Sequence, residues 1–144
     1  ASDFSALGGI PLYGLLVTGL LVIGRTDDAL VLGLAFVLAY AVVLLARSLW
    51  FRPRPKPEKY ANFITKFDAN SFISIHAARA AILATFVWTR TNDVLLGALA
   101  VVLAITVAWL RVHLRRHHLS DAIAGLGIGA LVFLVADALV VAFV

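Results

Sequence analysis

The chain has 144 residues, of which 62% are hydrophobic and only 14% are charged, with a formal net charge of +4 at pH 7. A soluble domain has roughly a quarter of its residues charged, so this composition excludes an ordinary soluble protein and predicts an integral membrane protein. The absence of cysteine excludes disulfides, thiolate metal sites and cysteine nucleophiles. The length predicts a single domain over residues 1–144.

Five apolar segments follow one another along the chain, each close to the ~20 residues that a transmembrane helix needs. Short polar turns at residues 25–28 and 90–93 join two pairs of them. The predicted fold class is therefore all-α, an integral membrane bundle of about five transmembrane helices. The predicted spans are residues 4–24, 29–46, 73–89, 94–110 and 120–144.

Residues 47–72 differ from the rest of the chain, with three of its four prolines and six of its twelve basic residues. Long loops are usually functional or disordered, and the aromatic residues of this one predict a position at the membrane interface. Asn70 or Ser71 is the expected N-cap of the third span, and Ser120 that of the fifth.

Five spans place four chain segments on one membrane face: the end of span two, the start of span three, the end of span four and the start of span five. All four histidines and ten of the twelve basic residues lie there, and only Arg25 and Arg90 lie opposite. Asp137 is expected near that opposite surface, paired with one of these two arginines. Such convergence favours a functional site over a merely solvated loop, and the basic excess predicts that this face is cytoplasmic.

Residues 111–121, RVHLRRHHLSD, contain three of the four histidines. Within this stretch Arg111, His117 and Asp121 follow in order, and a four-residue step would put His117 and Asp121 on one face of a helix. An imidazole held by a carboxylate is an oriented base or nucleophile. An arginine beside it can clamp a phosphate or carboxylate.

Two further motifs lie on the same predicted face. Arg47 is followed by six residues and then Arg54-Pro55, where the proline biases Arg54 to an extended backbone. Residues 74–76, Ser-Ile-His, fall in the first turn of the third span, where free amides and the helix dipole favour an anion. The sequence therefore predicts an anion site with a proton donor.

The three motifs together resemble those of the type-2 phosphatidic acid phosphatase family. Its pattern is Lys-x6-Arg-Pro, Pro-Ser-Gly-His and Ser-Arg-x5-His-x3-Asp. This chain has R-SLWFRP-RP, ISIH and LR-VHLRR-H-HLS-D, and the likeness covers roughly residues 30–135. Vanadate-dependent haloperoxidases share the pattern, but a chain this apolar argues against their chemistry.

The resemblance implies a metal-free phosphatase, without a cofactor, that acts on a lipid phosphate or diphosphate. The substrates considered are phosphatidylglycerol phosphate, phosphatidate and a polyprenyl diphosphate; the other partners are membrane lipids, and no nucleic acid is expected. His117 would attack phosphorus to form a phosphohistidine, Asp121 would orient His117, and His76 would protonate the leaving oxygen and then activate water. The implied phosphate-binding residues are Arg47, Arg54, Ser74, Ile75 and Arg111.

The sequence also departs from the family pattern. Arg47 stands where the family usually has lysine, and Leu110 replaces the serine before Arg111. Ile73 and Ile75 replace the proline and glycine of the second motif, and the loss of the glycine narrows the approach to the backbone amides. Five spans where the family core usually has six imply that an N-terminal helix is absent or lies outside this sequence.

The sequence is also compatible with two other functions. The first is a catalytically weak or inactive lipid-phosphate binding or transport module, for which Ile75 is the main support. The second is a histidine-based metal site such as that of a divalent cation transporter, for which the chain offers few carboxylates. Of the residues outside the motifs, His118 is expected at the interface and Arg79 either faces the site or extends to the surface.

Overall fold

In this computed structural model, which describes residues 4–56 and 59–144, the described chain folds into five long helices and one short one. No strand occurs in the described part, so the predicted all-α class is confirmed. Three helices, Thr26–Leu49, Val94–His113 and Leu119–Phe143, are each long and apolar enough to cross a membrane, and residues 10–22 form a shorter apolar stretch. The helices are α1 (Phe4–Val22), α2 (Thr26–Leu49), α3 (Phe63–Asp68), α4 (Ile75–Arg90), α5 (Val94–His113) and α6 (Leu119–Phe143).

Local sequence signals account for the helix ends. Helix α2 has Asp27 and Asp28 in its first turn and Arg47 in its last, as the helix dipole favours. Asp93 caps α5 by accepting hydrogen bonds from the amides of Leu95 at 2.9 Å and Leu96 at 3.1 Å. The expected long loop at 47–72 is partly helical, because it contains α3.

The expected N-caps of α4 and α6 are wrong. Ser74 caps α4 and His118 caps α6, where Asn70 or Ser71 and Ser120 were expected. The reason is that those side chains are used in tertiary contacts, which a capping pattern does not reveal. Ser120 Oγ, for example, accepts a hydrogen bond from the guanidinium of Arg52 at 2.8 Å.

Helices α2, α4 and α6 enclose the centre of the bundle. Leu32, Ile82 and Phe133, one from each helix, are fully buried there and belong to one hydrophobic cluster. Helix α5 packs on α4 through small residues, and Trp88 lies against Gly97. The large apolar side chains that face outward, such as Leu103, are as expected for a surface that contacts lipid.

Glycine is needed where α4 crosses α6. A Cβ atom on Gly125 would lie 2.4 Å from the carbonyl oxygen of Ser74, and one on Gly129 would lie 2.1 Å from that of Ala78. Both contacts are with backbone, which cannot move aside as a side chain can. The two helices therefore pack closely at these glycines, which fixes α4 against α6.

The far end of the bundle is held by a network of charged residues. Arg90, at the end of α4, bonds to Asp28 of α2 at 2.6 Å and also to Asp137 of α6, and Arg25 bonds to Asp28 at 2.5 Å. The prediction that Asp137 pairs with Arg25 or Arg90 near this surface is confirmed. The network borders a cavity of about 580 Å³ between the ends of these helices.

Replacing Gly129 with alanine is expected to force α4 and α6 apart. Overpacking of this kind typically costs about 1–3 kcal/mol, and contact with a carbonyl puts Gly129→Ala at the upper end. The loss of stability can be measured by unfolding the purified protein in detergent, either by heating or by titration with SDS. Gly127→Ala is the matched control, since a Cβ there meets nothing within 4 Å; it should be neutral or stabilising by up to about 1 kcal/mol. Equal stability of the two variants would contradict the close crossing.

Candidate active site

Four chain segments meet at the end of the bundle opposite the charged network. The amide of Ser74, before α4, donates to the carbonyl of Asp121 in α6 at 3.1 Å. The amide of Ser71 donates to the carbonyl of Arg52 at 2.7 Å, and that of Lys56 donates to the carbonyl of Arg115 at 3.2 Å. The predicted convergence of the three motifs at one end is confirmed by these contacts.

His117 lies at the centre of this end and is only 2% exposed. Its Nδ1 is 2.8 Å from the backbone carbonyl oxygen of Ser71. A carbonyl oxygen can only accept a hydrogen bond, so Nδ1 carries a proton. When the ring is neutral, Nε2 is then the nitrogen with a free lone pair.

The surroundings of His117 favour the neutral ring. Burial lowers the pKa of His117 from 6.5 to about 4, against the opposing effect of the hydrogen bond to Ser71. The positive charges of Arg111, Arg47 and Arg54 also lower this pKa. His117 is therefore neutral at physiological pH, with an unprotonated Nε2.

Three arginines are close enough to His117 for their positive charges to lower its pKa. Arg47 lies in the last turn of α2 and Arg111 in the last turn of α5, whereas Arg54 lies in the non-helical segment that follows α2. The Nε atoms of all three are buried, and Arg47 also donates to the carbonyl of Ile73 at 3.4 Å. Three guanidinium groups around a neutral imidazole make this end of the bundle suited to a multiply charged anion.

The start of α4 supplies further hydrogen-bond donors. Ser74 is fully buried, and its Oγ accepts from the amide of Ala77 at 3.4 Å, so this hydroxyl is fixed at the start of α4. Ile75 and His76 follow as the first two residues of α4, where backbone amides have no partner within the helix. His76 is half-buried, with its Nδ1 shielded from solvent.

Asp121 does not contact His117 as the sequence led us to expect. Its carboxylate accepts hydrogen bonds from Ser71 Oγ at 2.6 Å, from the amide of His118 at 3.0 Å and from Arg52 at 2.7 Å. The expectation assumed that one helix carries both residues, but α6 begins at Leu119 and His117 precedes it. The carboxylate is therefore turned toward the helix cap.

Sequence reasoning missed four residues that build this end of the bundle. Arg52 and Ser71 bond to Asp121, and His118 Nδ1 lies 3.1 Å from the same carboxylate. The carbonyl of Ser71 is the partner of His117. The fourth, Asn70, is fully buried. A second Arg-Pro pair at residues 52–53 was the available signal for Arg52. The sequence marked Asn70 and Ser71 only as candidate helix caps, and His118 only as an interfacial residue.

Asn70 joins the first motif to the segment before α4. Its side-chain oxygen accepts from the amides of Arg52 at 3.1 Å and Phe72 at 2.9 Å. Its side-chain nitrogen donates to the carbonyls of Arg47 at 3.1 Å and Trp50 at 2.7 Å. One buried side chain thus fixes the end of α2 relative to the segment that holds His117.

The remaining sequence candidates lie outside this constellation. Arg79 is buried inside the bundle, where its guanidinium donates to Tyr40 at 3.3 Å and its carbonyl accepts from Tyr13 at 2.6 Å. His113 is exposed and stacks on Trp109 with 4.9 Å between ring centroids. Among the described residues, no group of three or more His, Cys, Asp or Glu side chains is arranged to hold a metal ion.

Comparison with known proteins agrees with this architecture. A family model described as the PAP2 superfamily matches residues 28–143. The fold is similar to the crystal structure of Aquifex aeolicus LpxE, with a TM-score of 0.73 and 21% identity over 94% of this chain and 81% of that one. A search of curated protein sequences gave no significant match.

The fold and the family match define a helical membrane protein of the phosphatase class. The chain belongs to the PAP2 superfamily, as the three sequence motifs indicated. Membership supports a lipid phosphatase in general, with a lipid substrate and a place in a membrane.

The low pKa of His117 makes the stability of the phosphate-free protein depend on pH. The folded-state pKa, about 4, lies below the unfolded value of 6.5, so the unfolded chain takes up a proton first as the pH falls. The stability that comes from the neutral His117 ring is fully present above about pH 6.5 and is lost between about pH 6.5 and 4. For this shift the loss is at most about 3 kcal/mol.

Unfolding curves in phosphate-free buffers between pH 7.5 and 4.5 test this dependence. Wild-type protein should lose more stability over this range than His117→Gln, in which position 117 no longer titrates. His113→Gln serves as the control, because His113 is exposed, and its curve should follow that of wild type. Parallel curves for wild type and His117→Gln would show that His117 takes up its proton equally well in both states.

Proposed function

We propose that this protein is a metal-independent membrane phosphatase that hydrolyses a lipid phosphate or diphosphate through a phosphohistidine intermediate. The observation that carries the proposal is His117, a buried neutral imidazole held through Nδ1 and surrounded by three arginines. An unprotonated Nε2 is a nucleophile at neutral pH, and arginines suit the charge of a phosphoryl group.

In the proposed reaction, Nε2 of His117 attacks phosphorus while His76 gives a proton to the leaving oxygen. Water, activated by His76, then hydrolyses the phosphohistidine and releases phosphate. Asp121 supports the nucleophile from one residue away, because its carboxylate holds Ser71, whose carbonyl holds the imidazole.

The phosphate-binding groups are those of the three motifs. Arg47, Arg54 and Arg111 are placed to neutralise the equatorial oxygens, where charge is concentrated in the transition state. The backbone amide of Ile75 and the hydroxyl of Ser74 add uncharged donors at the positive end of α4. Arginine in place of the family's lysine at position 47 keeps the charge at that point.

The position of the site favours a lipid substrate. Apolar helices surround it, so a lipid could keep its tail in the bilayer while its phosphate reaches the arginines, and soluble phosphate esters should be poor substrates. The basic excess at this end favours the cytoplasmic face of the cell membrane. A cytoplasmic site in turn favours phosphatidylglycerol phosphate or phosphatidate over a polyprenyl diphosphate.

The main rival is a module that binds lipid phosphate without turnover, and its support was Ile75. The Ile75 side chain is only 5% exposed and belongs to the central hydrophobic cluster. Since the side chain packs inward, it offers less obstruction to the amides of α4 than the sequence suggested. We therefore favour turnover.

Phosphate release from a panel of lipid phosphates, measured in detergent with EDTA and no added metal, tests the activity. Wild type should release phosphate, and His117→Ala should lower the rate by at least about 10³-fold, because the nucleophile is lost. A rapid quench into base should trap an acid-labile phosphoprotein only in protein that retains His117. His113→Ala is the matched control and should keep wild-type activity.

Other results would exclude parts of the proposal. Well-folded wild type that binds lipid phosphates but releases none would favour the binding module. Release abolished by EDTA would exclude metal independence, and equal rates for wild type and His117→Ala would exclude the nucleophile. The lipid hydrolysed fastest would identify the headgroup.

Cysteine labelling in cells can test the cytoplasmic orientation, because these 144 residues contain no cysteine that would react in the background. Lys59→Cys reports the location of the end that contains His117, and Thr26→Cys that of the opposite end; both positions are exposed. A membrane-impermeant maleimide added to intact cells should label Thr26→Cys and spare Lys59→Cys, and cell lysis should make both reactive. The reverse pattern would place the site outside and favour a polyprenyl diphosphate.

A further inference from the structure

A compact hydrogen-bonded cluster contacts His117 through the backbone carbonyl of Ser71. It consists of Arg52, Ser71, His118 and Asp121, and we call it the Asp121 cluster. Asp121 and Ser71 are fully buried within it. The carboxylate of Asp121 binds one side chain from each of three segments: the segment after α2, the segment before α4 and the cap of α6.

Ser71 is the member of the cluster that touches His117. Its amide donates to the carbonyl of Arg52 at 2.7 Å, and its hydroxyl donates to Asp121 at 2.6 Å. Its carbonyl is thereby fixed as the acceptor for Nδ1 of His117, at 2.8 Å. The amide and the hydroxyl of Ser71 thus hold its carbonyl in place, and that carbonyl sets the tautomer of His117.

A neutral acceptor on Nδ1 differs physically from a carboxylate in the same place. A carboxylate in direct contact would raise the pKa of His117 strongly, and the ring would be protonated more readily before reaction. The Ser71 carbonyl fixes the same tautomer with a weaker effect on the pKa.

We propose that Ser71 is a positioning residue that holds His117 in the Nδ1-protonated tautomer, and that Asp121 and Arg52 act on the nucleophile through Ser71. The kinetic consequence rests on the proposed phosphatase function. The structural consequence, a single tautomer of His117, does not.

Ser71→Ala tests the kinetic consequence, because it keeps the backbone carbonyl but removes the bond to Asp121. We expect kcat to fall by about 10- to 100-fold, since small misplacements of a reacting group have effects of this size. We expect KM to change by less than about twofold, because no phosphate contact is removed. Ser71→Thr, which restores the hydroxyl, should recover most of kcat.

Ser48→Ala is the matched control for Ser71→Ala. Ser48 lies in the last turn of α2, is exposed, and bonds only within its own helix, to the carbonyl of Leu45 at 2.7 Å. This variant should retain wild-type kcat and KM.

A tautomer measurement tests the inference without any turnover. In protein labelled with ¹⁵N-histidine, the His117 signals can be assigned by their loss in His117→Gln, because the chain has only four histidines. Wild type and Ser71→Thr should show one tautomer with hydrogen on Nδ1. Ser71→Ala should show a mixture of two tautomers or exchange between them.

The two measurements separate failure of the inference from failure of the proposed function. A wild type without phosphatase activity, in which Ser71→Ala still mixes the tautomers, would reject the function and support the positioning role. A single unchanged tautomer in Ser71→Ala would overturn the inference, whether or not kcat falls.

Arg52→Gln is the second variant, for use if Ser71→Ala does not fold. The Arg52 side chain is 35% exposed and reaches Asp121 from the outer side of the cluster, so its replacement is better tolerated. It should also mix the tautomers of His117, and Arg52→Lys should reduce that mixing. A single tautomer in Arg52→Gln would equally overturn the inference.

Discussion

The close crossing of α4 and α6 is the constraint on which the rest of the structure depends. At Gly125 and Gly129 the two backbones approach so closely that no side chain fits between them. The same contact brings Ser74 to Asp121, where an amide–carbonyl hydrogen bond joins the start of α4 to the first turn of α6. The helix end that is suited to an anion is thereby fixed beside the segment that carries the imidazole.

At the end of the bundle that contains His117, the positive arginines and the negative Asp121 have separate positions relative to the imidazole. The charges of Arg47, Arg54 and Arg111 act directly on His117, whereas the fully buried carboxylate of Asp121 bonds to Ser71, which separates it from the ring. An acid in contact with those arginines would neutralise them, and in contact with the ring it would favour protonation. Asp121 instead bonds to Ser71, Arg52 and His118, so its carboxylate does not contact the ring, and burial keeps the imidazole neutral.

Much of this arrangement could be predicted from the sequence, because apolar lengths and motif spacing are local signals. They predicted the helical class, the shared end of the motifs and the pairing of Asp137 with either Arg25 or Arg90, of which the structure shows Arg90. The partner of His117 could not be predicted, since it is a backbone carbonyl, and every residue has one. The contact between Asp121 and His117 was predicted wrongly, because the prediction placed both residues on one helix. Helix α6 begins only at Leu119, two residues after His117.

The distance between the two charged ends of the bundle has a consequence for the surrounding lipid. From Asp28 to Arg47 the rise along α2 is about 28 Å at ~1.5 Å per residue, and contacts at both ends keep α4 level with α2. A typical hydrocarbon core is ~30 Å thick, so the bilayer beside the protein must thin slightly or the helices must stay nearly upright. Either adjustment brings the phosphates of neighbouring lipids closer to the level of the arginines. Bilayer thickness thus becomes a parameter of substrate access, because lipids with longer chains would carry their phosphates above the site.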